Sequence, residues 1–175
     1  MHRITKKFEC DYGHRVHNQT LNKDYSIDDA CVCRHLHGHR MTVAISLEAE
    51  KLTDGMVTDF KHLNWFGKFI DDVIDHKFII DKNDPLFETI TGCSVSQVKK
   101  ATHSDTVYGR FDYSENTDLE NEFYESFVVV DFVPTSENLS LWFFRIAQAK
   151  MNKLGITVKR VTFNETPKSE AVYEL

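Results

Sequence analysis

Every second side chain from Met41 to Ala49 is apolar. A period of two predicts a half-buried β-strand, because successive side chains of a strand project from opposite faces. Upstream, Ile4, Phe8 and Cys10 share one parity and predict a partner strand, although Lys6 breaks the pattern. The beginning of the chain therefore favours a pair of strands with one buried face.

Two later segments change to a helical period. Over residues 60–74 the apolar side chains recur about one helical turn apart, which predicts an amphipathic helix. A second helix is expected to begin near Thr135, a capping residue, and to end at Gly155. Apolar strands are expected on either side of it, over 127–130 and 157–163. This order predicts an α+β domain with the helices on one face of an antiparallel sheet.

Composition narrows the class of protein further. The chain has 175 residues, of which 41% are hydrophobic, and its four cysteines are too scattered for a disulfide scaffold. No stretch approaches the roughly 18 apolar residues of a membrane span, and the first residues lack a signal-peptide core. We therefore expect a cytoplasmic protein with no membrane partner. The formal net charge of −6 argues against nucleic acid as a partner, because phosphate backbones are bound by basic faces.

The negative charge is concentrated in residues 105–125, which hold seven carboxylates and one arginine. This stretch lacks a sustained apolar period and contains several turn-forming residues. We interpret residues 1–175 as one domain with an acidic insertion at about 92–124. The insertion is expected to be a solvated excursion from the domain.

A group of histidines suggests a metal site. His37 and His39 flank Gly38 and share one parity, so in a strand both imidazoles project from the same face, about 6.5 Å apart. If the first strand continues through Tyr12, His14 faces the same point from the neighbouring strand. Three imidazoles without a fourth protein ligand are typical of a catalytic zinc site. The alternative is two hydrogen-bonding histidines at the start of a strand.

Three further positions are candidates for proton transfer or substrate binding. Cys33 lies four residues before His37, and its thiolate would be favoured near a dication and Arg34, as a general base requires. Cys33 as a buried apolar residue, or as a soft metal ligand together with Cys31, remains an open alternative. Nothing in the spacing alone separates these interpretations.

A carboxylate beside an imidazole is the second candidate. Asp75 precedes His76, and such a pair can fix a tautomer and relay a proton, although it also occurs as ordinary charges at the end of a helix. Glu165 shares the parity of Val161 and Phe163, so it is expected to point inward. An inward carboxylate needs paired N–H donors, such as the edge of an amino-pyrimidine.

Together these segments resemble the 6-pyruvoyl tetrahydropterin synthase and 6-carboxy-5,6,7,8-tetrahydropterin synthase family of T-fold enzymes. The resemblance covers most of the chain outside the acidic insertion. The matching segments are 8–15, Cys33 with His37–His39, 55–60, 75–78, 134–138 and 164–166. Six matches in order are far more specific than any one of them.

The resemblance implies a fold, a site and a reaction. The fold is a T-fold, in which sheets close into a barrel by association, and we expect a homo-oligomer, most simply a hexamer built from two trimers. The substrate is 7,8-dihydroneopterin triphosphate, whose side-chain hydroxyls are held by zinc acting as a Lewis acid. The implied roles are zinc binding by His14, His37 and His39, proton abstraction by Cys33, a proton relay by Asp75 and His76, and anchoring of the pterin ring, with a share in the relay, by Glu165.

The spacing of the thiol helps to choose the branch of the family. Three residues between Cys33 and His37 resemble the carboxy-forming branch of 7-deazaguanine (queuosine) biosynthesis, as does the pair Asp59–Phe60. The expected function is therefore a carbon–carbon lyase that forms 6-carboxy-5,6,7,8-tetrahydropterin and releases acetaldehyde and triphosphate. The alternatives are 6-pyruvoyl tetrahydropterin synthase, a phosphorus–oxygen lyase, and a non-catalytic metal- or pterin-binding module.

Overall fold

The two alternating segments pair as long antiparallel strands in a computed structural model that describes residues 1–112 and 117–175. Strand β1 spans His2–His14 and β2 spans His37–Ala49. They pair over their whole length, from His2 opposite Ala49 to His14 opposite His37. The predicted strand pair is confirmed, and Lys6 does not interrupt it.

Six more strands extend this pair into one sheet. They are β3 (Lys77–Asp81), β4 (Val98–His103), β5 (Thr106–Phe111), β6 (Phe127–Val130), β7 (Thr157–Thr166) and β8 (Ser169–Glu174). The order across the sheet is β4-β5-β6-β3-β1-β2-β7-β8. Most neighbours are antiparallel, as predicted, but β3 runs parallel to both β1 and β6. Because β1 and β3 are parallel, their carboxyl ends lie side by side at the same end of the sheet.

The helical segments lie close to the predicted positions. Residues 60–74 form one continuous helical segment that changes from a 3₁₀ turn to α1 (Asn64–Phe69) and then to a π-helical turn. The other helices are α2 (Phe87–Thr91), α3 (Asp118–Glu125) and α4 (Ser136–Met151). Thr135 caps α4, and a 3₁₀ turn continues the helix to Gly155, which has a φ of 67°. Within the described residues, no helix has both the length and the apolar character needed to span a bilayer.

The main core lies between the sheet and the helices α1 and α4. It joins the inward positions of β1, β2 and β7 to one stripe of each helix, and its fully buried members include Met41, Ile45, Phe66, Phe143 and Phe163. Burying a large apolar side chain contributes about 1.5–3 kcal/mol. The apolar face of β2 and the apolar stripes of the helices therefore stabilise each other, because they pack on opposite sides of the same core.

The acidic stretch departs from its prediction. Instead of a solvated excursion, residues 98–111 form the hairpin β4–β5, which joins the sheet beside β6. Phe111 is 1% exposed and belongs to a second apolar cluster with Ile80, Phe87 and Phe127. The prediction of a solvated excursion is wrong for this hairpin, because Thr106 and Phe111 are buried while every carboxylate in the described part of the stretch is exposed. Residues 113–116 of the predicted insertion lie outside the described residues.

This packing predicts that the hairpin contributes to stability. Phe111→Ala removes a buried ring and should lower the free energy of unfolding by about 3–5 kcal/mol. Phe123→Ala is the matched control, because Phe123 is 52% exposed on α3, and it should cost less than half as much. Urea unfolding at a fixed protein concentration measures both. Equal losses would contradict a second core built on this hairpin.

Candidate metal centre and active site

Three imidazoles converge where β1 and β2 meet at the edge of the core. The ligand atoms of His14, His37 and His39 all lie within 4.8 Å of one another. His14 is directly opposite His37 in the antiparallel register, and His39 is opposite Tyr12. Directly opposite residues project from the same face, so the pairing alone brings the three rings together.

Two glycines let the strands approach at this point. Gly13 and Gly38 are opposite each other, between the pair His14–His37 and the next pair along. A Cβ on Gly38 would lie 2.7 Å from the carbonyl oxygen of Tyr12, a backbone atom that is unable to move aside. The absence of a side chain at Gly38 is therefore required by the strand pairing that positions the imidazoles.

Backbone carbonyls fix the orientation of two of the rings. His14 Nδ1 lies 2.7 Å from the carbonyl oxygen of Pro134, and His37 Nδ1 lies 2.8 Å from that of His35. A carbonyl only accepts, so each Nδ1 carries the proton and each Nε2 of a neutral ring keeps its lone pair. This is the arrangement that orients histidine ligands in metal sites. Burial lowers the pKa of His39 more than the nearby Glu165 carboxylate raises it, which favours a neutral ring there as well.

A carboxylate approaches the imidazoles from β7. Glu165 Oε1 lies 3.2 Å from His14 Nε2 and 3.6 Å from His39 Nε2. Neither Nε2 makes a hydrogen bond to any described residue, although both are buried.

These donors fit a divalent metal ion. Buried nitrogen lone pairs without hydrogen-bond donors are costly, and a carboxylate beside them adds negative charge. A cation held by His14, His37 and His39 would satisfy both conditions. Three imidazoles are the donor set that the sequence predicts for such a site.

Cys33 lies beside this centre along the chain but does not join the group of ligand atoms. It is half-exposed in a single 3₁₀ turn, Val32–Arg34, before β2. The cluster of ligand atoms within 4.8 Å found among the described residues contains the three imidazoles and no thiol. Cys31 is also half-exposed and unpaired. The structure thus leaves Cys33 outside the ligand set.

Asp75 and His76 form a hydrogen-bonded pair at the end of the first helical segment. Asp75 Oδ2 lies 2.8 Å from His76 Nδ1, and Asp75 Oδ1 accepts the backbone N–H of Asp11 at 3.0 Å. Burial would raise the pKa of Asp75, but the Asp11 N–H and the His76 ring outweigh it and lower the pKa. The His76 side chain is 79% exposed. Among the described residues of one chain, neither residue forms a hydrogen bond or ion pair with the three imidazoles.

Two contributions to the centre were not predicted from the sequence pattern. Tyr12 is buried, and its ring centroid lies 5.0 Å from that of His14 and 6.1 Å from that of His39. Burial raises the pKa of Tyr12, so its side chain stays neutral and acts by packing. Its shared parity with His14 was a usable signal. The Pro134 carbonyl carried no such signal, because only the tertiary fold brings it beside His14.

The geometry predicts metal retention that depends on the imidazoles. His37→Ala and His39→Ala should each remove most of the divalent metal that the wild-type chain retains after gel filtration, because two nitrogen ligands hold a dication poorly. His62→Ala is the control, since His62 lies outside the cluster and contacts Thr58. Elemental analysis measures metal per chain. Full retention in both cluster variants would contradict the assignment.

Comparison of the sequence with known proteins identifies its relatives. A model of the 6-pyruvoyl tetrahydropterin synthase family matches residues 3–175. The chain is 27% identical to the 6-carboxy-5,6,7,8-tetrahydropterin synthase of Aquifex aeolicus, over 98% of this chain and 96% of that protein. It is 32% identical to the enzyme of the same name from Rickettsia conorii, over 79% of this chain and 93% of that protein. The prediction of a lyase is confirmed by this family.

Solved structures show the same fold. An uncharacterized protein from Wolinella succinogenes superposes with a TM-score of 0.91 and 46% identity, covering 99% of this chain and 97% of that one. The 6-pyruvoyltetrahydropterin synthase of Plasmodium vivax superposes with a TM-score of 0.58 and 16% identity, with the same coverage, which shows a shared fold. The prediction of an α+β T-fold is confirmed. The chain belongs to the 6-pyruvoyl tetrahydropterin synthase family of T-fold enzymes.

Proposed function

We propose that this chain is a zinc-dependent lyase that converts 7,8-dihydroneopterin triphosphate and one water molecule to 6-carboxy-5,6,7,8-tetrahydropterin, acetaldehyde and triphosphate. The observation that carries the proposal is the three-imidazole centre, on a fold of this family, with Cys33 four residues before His37. The names of the relatives from Aquifex aeolicus and Rickettsia conorii support the same product. The product would enter 7-deazaguanine (queuosine) biosynthesis.

Zinc is the metal that this donor set favours. Three imidazoles suit Zn²⁺ and leave a coordination position for substrate, whereas Mg²⁺ and Ca²⁺ prefer oxygen ligands. Bound at His14, His37 and His39, zinc would supply Lewis acidity toward the side chain of the substrate. The carbonyls that accept from His14 and His37 keep those rings in the ligating tautomer.

The remaining residues receive proton-transfer and binding roles. Cys33 removes a proton from the substrate side chain as a thiolate, and its half-exposed turn leaves it accessible. Glu165, whose carboxylate lies beside His14, accepts the paired N–H groups of the pterin edge and takes part in the proton relay. Asp75 orients the His76 ring, and this pair relays protons. Each role is a proposal for this chain.

We further propose that the enzyme acts as a homo-oligomer, most simply a hexamer of two trimers. The strands β4 and β8 form the two edges of the sheet, and open edges favour pairing with another chain. The exposed His76 ring lies outside the imidazole centre of its own chain, so a relay role is best served by a neighbouring copy. Light scattering at micromolar protein concentration tests this. A monomeric mass would contradict it.

The role of the thiol predicts different effects of two neighbouring substitutions. Cys33→Ala should keep the fold and the metal but lower turnover roughly 10²–10⁴-fold, the usual contribution of a general base. Cys31→Ala should have a mild effect, because its spacing from His37 differs from the family pattern. Turnover and metal content are measured on both. Loss of metal from Cys33→Ala would make Cys33 a ligand and contradict the proposed role.

The product distinguishes the carboxy-forming reaction from its alternatives. Cleavage of a carbon–carbon bond releases a two-carbon aldehyde, whereas elimination of triphosphate alone keeps all three side-chain carbons on the pterin. Incubation with 7,8-dihydroneopterin triphosphate should give acetaldehyde in near-equal amount to pterin consumed, measured by a coupled alcohol dehydrogenase. Accumulation of 6-pyruvoyl tetrahydropterin without acetaldehyde would support the other branch. Binding without turnover would support a non-catalytic module.

A further inference from the structure

A buried arginine–carboxylate ion pair and a histidine–carboxylate contact lie beside the imidazole centre and have no role in the functions described so far. Arg15 Nε lies 3.0 Å from Asp84 Oδ2, and His17 Nε2 lies 3.1 Å from Asp81 Oδ2. The side chains of Asp84 and Asp81 are only 1% and 4% exposed. Buried ion pairs often add little net stability, because desolvation opposes the attraction between the charges. Their presence here therefore calls for a role besides stability.

The topology explains how these residues meet. β1 and β3 are parallel neighbours, with His14 opposite Ile79, so the segments that follow them leave the sheet at the same end of the strands. In each aspartate, Oδ1 accepts a backbone N–H two residues further along the chain. Each Oδ2 is left to reach the segment 15–19 that follows β1. The last residue of β3, Asp81, and the turn that follows it thus present two fixed carboxylates to that segment.

The segment 15–19 in turn holds Cys33 by its backbone. Val16 N–H donates to the carbonyl oxygen of Cys33 at 2.7 Å, and Cys33 N–H donates to Gln19 Oε1 at 2.9 Å. Arg34 Nε donates to the carbonyl oxygen of Gln19 at 2.8 Å. Both backbone polar groups of Cys33 are therefore bound by a segment that starts directly after the metal-ligand candidate His14.

We propose that Asp81 and Asp84 are positioning residues that set the location of the Cys33 thiol relative to the imidazole centre. They fix the segment 15–19, and that segment fixes the turn that carries Cys33. The inference rests on the proposed function, in which Cys33 is the general base. A displacement of about 1 Å in a reacting group can cost about a hundredfold in rate, so a carboxylate distant from the substrate can still control turnover.

Kinetics of an isosteric variant provide the first test. Asp84→Asn keeps an oxygen for its own turn but removes the charge beside Arg15. We expect kcat to fall roughly 10–100-fold, with KM within about threefold and metal content unchanged. In a Cys33→Ala background, the same substitution should leave the residual rate unchanged, because the group that it positions is already absent. A fall by the same factor in that background would overturn the proposal.

Thiol reactivity provides a second test that needs no substrate. In a Cys31→Ser background, iodoacetamide labelling of Cys33 is followed by peptide mass spectrometry; Cys10 and Cys93 are buried, and burial raises the pKa of Cys10 to about 12. Asp84→Asn should change the labelling rate of Cys33 by more than about threefold. Equal labelling rates in variant and parent protein would overturn the proposal, even if the protein has no lyase activity.

Further variants separate positioning from general destabilisation. Gln19→Ala releases the N–H of Cys33 but leaves Asp81 and Asp84 with their partners, so it should change the labelling rate of Cys33 in a protein that keeps both carboxylate contacts. If Asp84→Asn does not fold, Gln19→Ala tests whether the segment 15–19 positions Cys33. Asp81→Asn then tests the role of the carboxylates. Asp105→Asn is the control, because Asp105 pairs with Lys150 and Lys153 elsewhere and should leave kcat and labelling unchanged. If Asp105→Asn changes kcat and labelling as much as Asp84→Asn does, the effect is not specific to the carboxylates beside Cys33, and the proposal is wrong.

Discussion

The register of β1 against β2 determines where the imidazoles lie, and most of the structure depends on it. The pairing that places His14 opposite His37 is the same pairing that turns Met41 and Ile45 into the core. A slip of one residue would move every side chain of β2 to the opposite face. It would expose several large apolar residues, at about 1.5–3 kcal/mol each. The free energy of core burial therefore holds the metal-ligand candidates together before any metal binds.

This arrangement separates a rigid part of the site from a more accessible part. His14 is fully buried, packed against Tyr12 and oriented by the Pro134 carbonyl. Cys33 occupies a short turn between two strands, and its location depends on hydrogen bonds to Val16 and Gln19. Metal ligands benefit from rigid elements, whereas a group that exchanges protons with substrate needs access. The fold supplies both, because the rigid ligands lie at the ends of β1 and β2 and Cys33 lies in the connection between these strands.

The sequence pattern was informative wherever one period governed one buried face. The alternation of β2 gave the strand, its inward face and the shared direction of His37 and His39, and the capping residue Thr135 gave the start of α4. The pattern failed for β3, which is short and buried on both faces, and for the hairpin β4–β5, whose exposed charges obscure its buried side chains. In both places the deciding contacts come from segments distant in the chain.

The same limit applied to the site. Parity predicted that the imidazoles share a face, and the resemblance to a family supplied the expected roles of Cys33 and Glu165. The approach of Glu165 to His14 depends on how β7 aligns with β2, and the paired loops after β1 and β3 depend on a parallel neighbour that the sequence did not reveal. The order of the strands in the sheet therefore fixes these contacts, and the periodicity of the sequence does not reveal that order.

X-ray absorption at the zinc edge of the zinc-loaded protein tests the central claim most directly, because it reports the ligand atoms themselves. A centre formed by His14, His37 and His39 should show three nitrogen neighbours at about 2.0–2.1 Å with the remaining neighbours being oxygen. The spectrum of Cys33→Ala should be the same. A sulfur neighbour at about 2.3 Å that disappears in Cys33→Ala would make the thiol a metal ligand and contradict the account.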